Sequence, residues 1–260
     1  MYLPIPPQPD CVTAWREAVR ALASPPYAAD NVIIDIANPL ARATLEDPVV
    51  AEVDAFLRQW NAKPIETVAN TLFPAALYRR HGAPAFYDRF MTRVLPAAKR
   101  DDRWSGYYFE RMINLPRSGG GSLNQLDDII DRLKDRKVTA RNKFELSIFD
   151  PLRDVTRSNY GGQCLSHASF KPHRTAQGER LDLTVMYRNH YYIEKLLGNF
   201  IGLGRLMAFV AEEAGLSVGT LTVVSVHALI DLPENKVKKK RAGREDIKAL
   251  LHRCDALMQD

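Results

Sequence analysis

The chain is poor in cysteine, in long apolar runs and in repetition, and each shortage excludes something. Its three cysteines, Cys11, Cys164 and Cys254, are scattered and contain no CxxC pair. Such a set supplies neither a disulfide framework nor a thiolate zinc site, so a reducing, cytoplasmic setting is expected. No apolar stretch approaches the roughly 20 residues a membrane helix needs, and no membrane association is expected. The opening segment MYLPIPPQPD has neither a basic leader nor an apolar core followed by small residues, so no secretory signal is expected. There is no internal repeat. RSGGGS, 117–122, is the clearest flexible connection and is too short to divide two domains.

What is present fits a globular protein large enough to bury a substantial core. The formal charge is +5, and much of the excess lies in KVKKKRAGR, 236–244. A run of this kind is most simply a solvated loop. It has no aromatic interleaving and no nucleic-acid motif beside it, so nucleic acid is not expected as a partner. The basic balance points instead to anionic ligands, phosphate among them.

Helical periodicity marks 49–61, 66–80, 122–135, a long apolar stretch 192–214 ending at Gly215, and 244–258. Ser122 and Gln125 have the spacing of a capping box. Strands are expected at 31–37, 143–149, 164–170, 181–187 and 219–226, three of them alternating with a period of two. Without strict βαβ alternation this is an α+β pattern: a single mixed sheet with helices mainly on one face. An uncovered sheet face is often buried against a second copy, so a homodimer is expected.

Taken alone, Cys164 in NYGGQCLSHASFKPH (159–173) reads as a small buried hydrophobe. Its neighbours in sequence suggest more. A strand delivers Arg188 to its end, a helix carries Asn199, and another strand carries His227. Converging at one sheet edge, these would give a nucleophile, an anion clamp, a planar amide that reads a ring and a hydroxyl contact. Each has a plainer alternative. Arg188 could end a strand in a surface ion pair, Asn199 could pair with a neighbouring protein group, and His227 could be a satisfied core histidine. His167, His173 and His190 match no standard ligand spacing, so no metal is expected.

At these residues the chain resembles the thymidylate synthase family, which includes the pyrimidine nucleotide hydroxymethylases. The likeness covers 122–231: Cys164 and Phe170 keep the spacing of the family's Pro-Cys-His segment. Arg188 and Asn199 keep its eleven-residue step from a Gln-Arg-Ser strand end to an asparagine, and His227 stands where its Asp-x-His-x-Tyr strand has histidine. Upstream, LNQLDDIIDRLKD and RNKFELSIFDP are similar to its Asp-Gln helix and Trp-Asn-Pro strand end. PIETVANTLFP is similar to the helix bearing its catalytic glutamate, here Glu66, and GYYFER to its Tyr-Gly segment, with Tyr107 or Tyr108 at the tyrosine. The resemblance implies a single thymidylate synthase-like domain over 1–260, with an N-terminal extension at 1–30 and a variable basic loop and C-terminal helix at 233–260.

It also implies a chemistry. The Cys164 thiolate would add to C6 of a pyrimidine ring and make C5 nucleophilic. Glu66 would manage protons, with Tyr107 beside it. Arg188 would grip the phosphate of a pyrimidine nucleoside monophosphate, helped by Arg42 and, from the second subunit, Arg141 or Lys143, and Asn189 would be a further substrate contact. Asn199 would read the base, leaning towards uracil, and His227 would meet the sugar. Three departures stand out: Leu165 for the histidine after the nucleophile, Tyr191 for the folate-contacting aspartate, and Leu229 for the sugar-contacting tyrosine. They leave the ring-adding core intact while altering the folate and sugar ends. The expectation is C5 hydroxymethylation with 5,10-methylenetetrahydrofolate. The alternatives are thymidylate synthase proper and a catalytically silent nucleotide-binding homologue.

Overall fold

The computed structural model describes residues 2–98, 107–155, 157, 162–176 and 178–258. Among them the strands are β1 (Leu3–Gln8), β2 (Ala28–Ile36), β3 (Leu115–Pro116), β4 (Ser122–Leu123), β5 (Glu145–Ser147), β6 (Leu165–Thr175), β7 (Gly178–Tyr187), β8 (His190–Tyr191), β9 (Ser217–Leu229), β10 (Glu234–Asn235) and β11 (Lys240–Arg241). The first six helices are α1 (Cys11–Ala21), α2 (Pro48–Gln59), α3 (Ile65–Leu72), α4 (Ala75–His81), α5 (Ala85–Arg89) and α6 (Leu95–Ala98). They are followed by α7 (Tyr108–Ile113), α8 (Gln125–Lys134), α9 (Pro151–Asp154), α10 (Leu196–Ala214) and α11 (Arg244–Ala256).

The architecture is α+β. One seven-stranded sheet runs β1-β2-β9-β7-β6-β5, with β8 also paired to β9. The β1–β2 and β7–β9 pairs are parallel and the β2–β9, β6–β7 and β5–β6 pairs antiparallel, so the sheet is mixed. Period-two alternation sets its sides: Leu181, Leu183, Val185 and Tyr187 are buried, while Thr184 and Met186 between them are exposed. The expected strands are all present, and longer than the apolar pattern except at β5. The segment 1–30 supplies the edge strand β1 and the helix α1, whose Val12, Trp15 and Val19 are buried in the common core.

Three local expectations are corrected. The helix expected over 66–80 is two helices, because Phe73 is extended and Pro74 follows it. The long helix starts at Leu196 rather than 192, since the Asp231 carboxylate takes the backbone N–H groups of Ile193 and Glu194 at 2.8 and 3.1 Å. Asn124, not Ser122, caps α8, by accepting from Asp127 N–H. Gln125 points into the core instead, where it donates to the carbonyls of Arg111 and Ser147 and accepts from Ser147 N–H.

Helix α10 ends as its sequence implies, with Gly215 in the left-handed conformation (φ 69°) and its N–H on the last carbonyls. Its approach to α3 needs glycine: a Cβ on Gly202 would lie 2.7 Å from the Ala69 carbonyl oxygen. That close packing brings Asn199 against the face of α3 that carries Val68 and Thr71, and the cavity opens there.

Candidate active site

The end of one strand pair fixes Cys164. Leu165, the first residue of β6, is registered with Tyr187, the last of β7. Just beyond, Arg188 N–H donates to the Cys164 carbonyl at 2.9 Å, and Arg188 Nε donates to the Gln163 carbonyl at 2.9 Å. The guanidinium also lies over the Phe149 ring, 5.1 Å from its centroid. Gly162 has φ +70°, and a Cβ there would come within 2.5 Å of Arg188 Nη2 and 3.1 Å of Asp154 Cβ. Asp154 is itself held in a buried ion pair, Arg111 Nη2 donating to its Oδ1 at 2.8 Å. The nucleophile candidate and the arginine are therefore one hydrogen-bonded unit on a braced loop. The quoted motif residues Gly106 and 159–161 lie outside the described residues.

A cavity of ≈ 260 Å³ opens beside that unit. Its lining includes Gly162, Cys164, Tyr108, Tyr187, Asn189, His190, Tyr191 and Asn199, with Lys63 and Lys195 as its cations. Burial pushes the Cys164 thiol above its ordinary pKa, outweighing the pull of Arg188 and Lys195 towards the thiolate. Burial pushes Tyr108 and Tyr187 up as well, so both phenols stay protonated as donors, and it lowers Lys63. Tyr108 accepts backbone hydrogen bonds from Leu165 and Cys164. The Tyr187 hydroxyl is buried with no partner among the described residues. A buried donor in that state costs about 1–3 kcal/mol, which a polar ligand in the cavity would relieve.

Cys164, Asn189 and Asn199 are thus brought to one cavity, with Arg188 directly behind Gly162. Other expected residues stand elsewhere. Glu66 is turned to α10, where Arg205 donates to both its oxygens at 2.7 and 2.9 Å. Tyr107 packs edge-on against Phe90, and its neighbour Tyr108 takes the place beside Cys164. His227 is exposed near the end of β9, its Nδ1 2.8 Å from Asp30 Oδ1. Arg42 donates to Asp47, the residue capping α2, at 2.6 Å. Arg141 and Lys143 are exposed in the turn before β5, Arg141 3.2 Å from His173 Nε2 and the Lys143 carbonyl accepting from Arg132. Asn199 has a protein partner, His190 Nε2 at 2.9 Å, while still lining the cavity.

Sequence reasoning missed Tyr187, His190, Lys63 and Lys195. Tyr187 looked like one more core position of an alternating strand, and His190 entered only as a rejected metal ligand. For Tyr187 and His190 the available signal was their closeness in sequence to Arg188, since side chains flanking a strand end can share a cavity; nothing local marked Lys63.

The cavity adjoins a larger cleft of ≈ 580 Å³, and Lys63, Tyr191 and Lys195 line both. Lys236, Arg241 and Arg244 add positive charge to the cleft, and Glu194, Asp231 and Glu234 add negative. The basic run thus contributes to a cleft wall. Among the described residues no helix is long and apolar enough to cross a membrane.

No protein-family model matches the chain. A protein of Methanopyrus kandleri named "Putative thymidylate synthase" is 33% identical over 151 residues, which cover 56% of this chain and 68% of that protein. Proteins of the same name match from Methanosarcina mazei, 29% identical over 127 residues (47% of this chain, 55% of that one), and Methanocaldococcus jannaschii, 28% over 137 residues (51% and 59%). Against the Methanosarcina mazei relative the chain spans about half of its length.

Proposed function

The chain belongs to the thymidylate synthase family as a divergent member, and on that premise we propose that it transfers a one-carbon group to C5 of a pyrimidine nucleotide through a covalent bond from Cys164 to ring carbon C6. The observation that carries this reading is the backbone tie between Arg188 and Cys164, a residue that lines the cavity. Sulfur adds to C6, and the C5=C6 electron pair shifts onto the ring carbonyl at C4. C5 then bonds the incoming carbon and loses its hydrogen, and the sulfur leaves as the double bond re-forms. Arg188 serves as the phosphate clamp, Asn199 and Asn189 contact the substrate, and Tyr108 and Tyr187 donate towards negative charge developing on the ring. Glu66 is paired with Arg205 and is not among the residues lining the cavity, so this reading gives proton handling to the phenols and to Lys63.

The donor we propose is 5,10-methylenetetrahydrofolate, which supplies the one-carbon unit when bound. The adjoining cleft suits it: Tyr191, 39% exposed, offers a ring to stack on, and Lys63, Lys195 and Lys236 offer cations for carboxylates. The altered folate end favours water over hydride as the second reactant, hence a hydroxymethyl rather than a methyl product. A homodimer built sheet to sheet is part of the same reading. Ile33, Val224 and Met186 form a row across three strands on the face that bears the exposed Thr184, and Arg141 and Lys143, which do not line the cavity of their own chain, would act from a partner. A second reading, a silent nucleotide-binding homologue, draws on the raised thiol pKa and on a cavity with no carboxylate among its described lining residues.

Release of tritium from C5 of labelled UMP, dUMP, CMP and dCMP tests the proposal. Wild type should release it from at least one nucleotide. Cys164→Ser should abolish release and leave nucleotide affinity nearly unchanged. Survival of exchange in that variant removes Cys164 from the chemistry, and binding without exchange in wild type decides for the silent homologue. A product heavier by a methyl group, with dihydrofolate formed, decides for thymidylate synthase proper.

A further inference from the structure

His190 lies 2% exposed, stacked on Tyr187 with ring centroids 4.0 Å apart and planes 12° apart. Its Nδ1 is 2.9 Å from Ser225 Oγ and its Nε2 2.9 Å from Asn199 Nδ2. Burial lowers its pKa to about 3, so the ring is neutral and carries one N–H and one lone pair. An amide nitrogen only donates. Nε2 is therefore the accepting side, and Nδ1–H donates to Ser225, whose oxygen also accepts from Tyr192 OH at 3.3 Å. Asn199 keeps its carbonyl oxygen and one N–H for the cavity it lines with Cys164.

We propose that His190 is a positioning residue that fixes which way round the Asn199 amide faces the cavity, and so which pyrimidine edge the site accepts. This rests on the reading that Asn199 contacts the base. Uracil presents an N3–H donor beside an O4 acceptor; cytosine presents an N3 acceptor beside an amino donor. An amide free to turn over serves either pattern, whereas one whose nitrogen is tied to Nε2 serves one of them. The Tyr187 stack and the Ser225 hydroxyl, itself bonded by Tyr192, hold the ring from its other sides, so the preference depends on residues behind Asn199 as well as on Asn199 itself.

Two variants and one spectrum test this. His190→Phe keeps a ring on Tyr187 and removes the acceptor; His190→Gln returns an oxygen that can accept from Asn199. Wild type is expected to bind UMP more tightly than CMP. His190→Phe should lose about tenfold of that preference, the scale of one well-placed base contact, and His190→Gln should recover it. Equal weakening towards both nucleotides, with the preference kept, would reduce His190 to packing and overturn the inference. Independently, ¹⁵N shifts of the ligand-free wild type should show His190 protonated at Nδ1 and bare at Nε2; the opposite tautomer also overturns it. A wild type that binds no pyrimidine nucleotide fails the base-reading itself and the inference with it, an outcome distinct from nucleotides that bind without regard to position 190.

Discussion

Glu66 and Arg205 form a two-pronged ion pair between α3 and α10, Nη1 to Oε1 at 2.7 Å and Nη2 to Oε2 at 2.9 Å. The glutamate side chain is 46% exposed and the arginine 19%. The pair ties together the two helices whose close contact frames the cavity, and it engages both carboxylate oxygens of a residue that does not line that cavity.

Glu66→Gln should therefore be mild. A half-exposed ion pair contributes at most about 1 kcal/mol, so thermal stability should fall only slightly and C5 exchange should stay within about threefold of wild type. Tritium release measures it. Loss of exchange by two orders of magnitude, with nucleotide affinity intact, would mean that Glu66 leaves Arg205 when substrate binds and returns to the proton-handling role the sequence implied.

Gly162→Ala should weaken phosphate binding selectively. The added methyl would sit 2.5 Å from Arg188 Nη2, and the backbone at φ +70° disfavours any side chain by about 1–2 kcal/mol. The guanidinium is the flexible neighbour and must move. UMP affinity is expected to drop about tenfold, roughly one charge-assisted hydrogen bond, while uridine, which lacks the phosphate, binds as before. Calorimetric titration of both ligands checks this, and equal losses for the two would place the Arg188 guanidinium away from the phosphate.

How legible all this was in the chain differs by residue. Leu181, Leu183 and Val185 announced their strand because alternation is a local property, and Gly215 announced the end of α10 because only a left-handed residue closes a helix there. The pairing of Arg188 with Cys164 was legible as fixed spacings between motifs, since each sits at a strand end. Facing was not. Glu66 lies on a short helix and Tyr107 just before another, where one residue of rotation decides which side chain faces the cavity, and Arg205 and Phe90 hold the two side chains from other elements. His227 is exposed near the end of its strand, where Asp30 of β2 meets it, a partner separated by 197 residues that no local pattern discloses.

The buried imidazole of His190 also sets a pH dependence of stability. Its folded pKa is about 3, depressed by burial from the ordinary value near 6.5. Above pH 6.5 neither the folded nor the unfolded chain protonates it and no cost arises. Between 6.5 and about 3 the unfolded chain binds the proton while the folded chain does not, so stability falls with acidification, by about 1.4 kcal/mol per pH unit for one proton. His190→Gln has no such group. Its stability relative to wild type, measured by urea unfolding at pH 7 and again at pH 5, should therefore improve by about 2 kcal/mol on acidification, since a depression of that size is almost fully expressed over the 1.5 units below 6.5. An unchanged difference between the two proteins across that range would mean that His190 takes up a proton while folded, and that its bond from Asn199 is not the one that holds the amide.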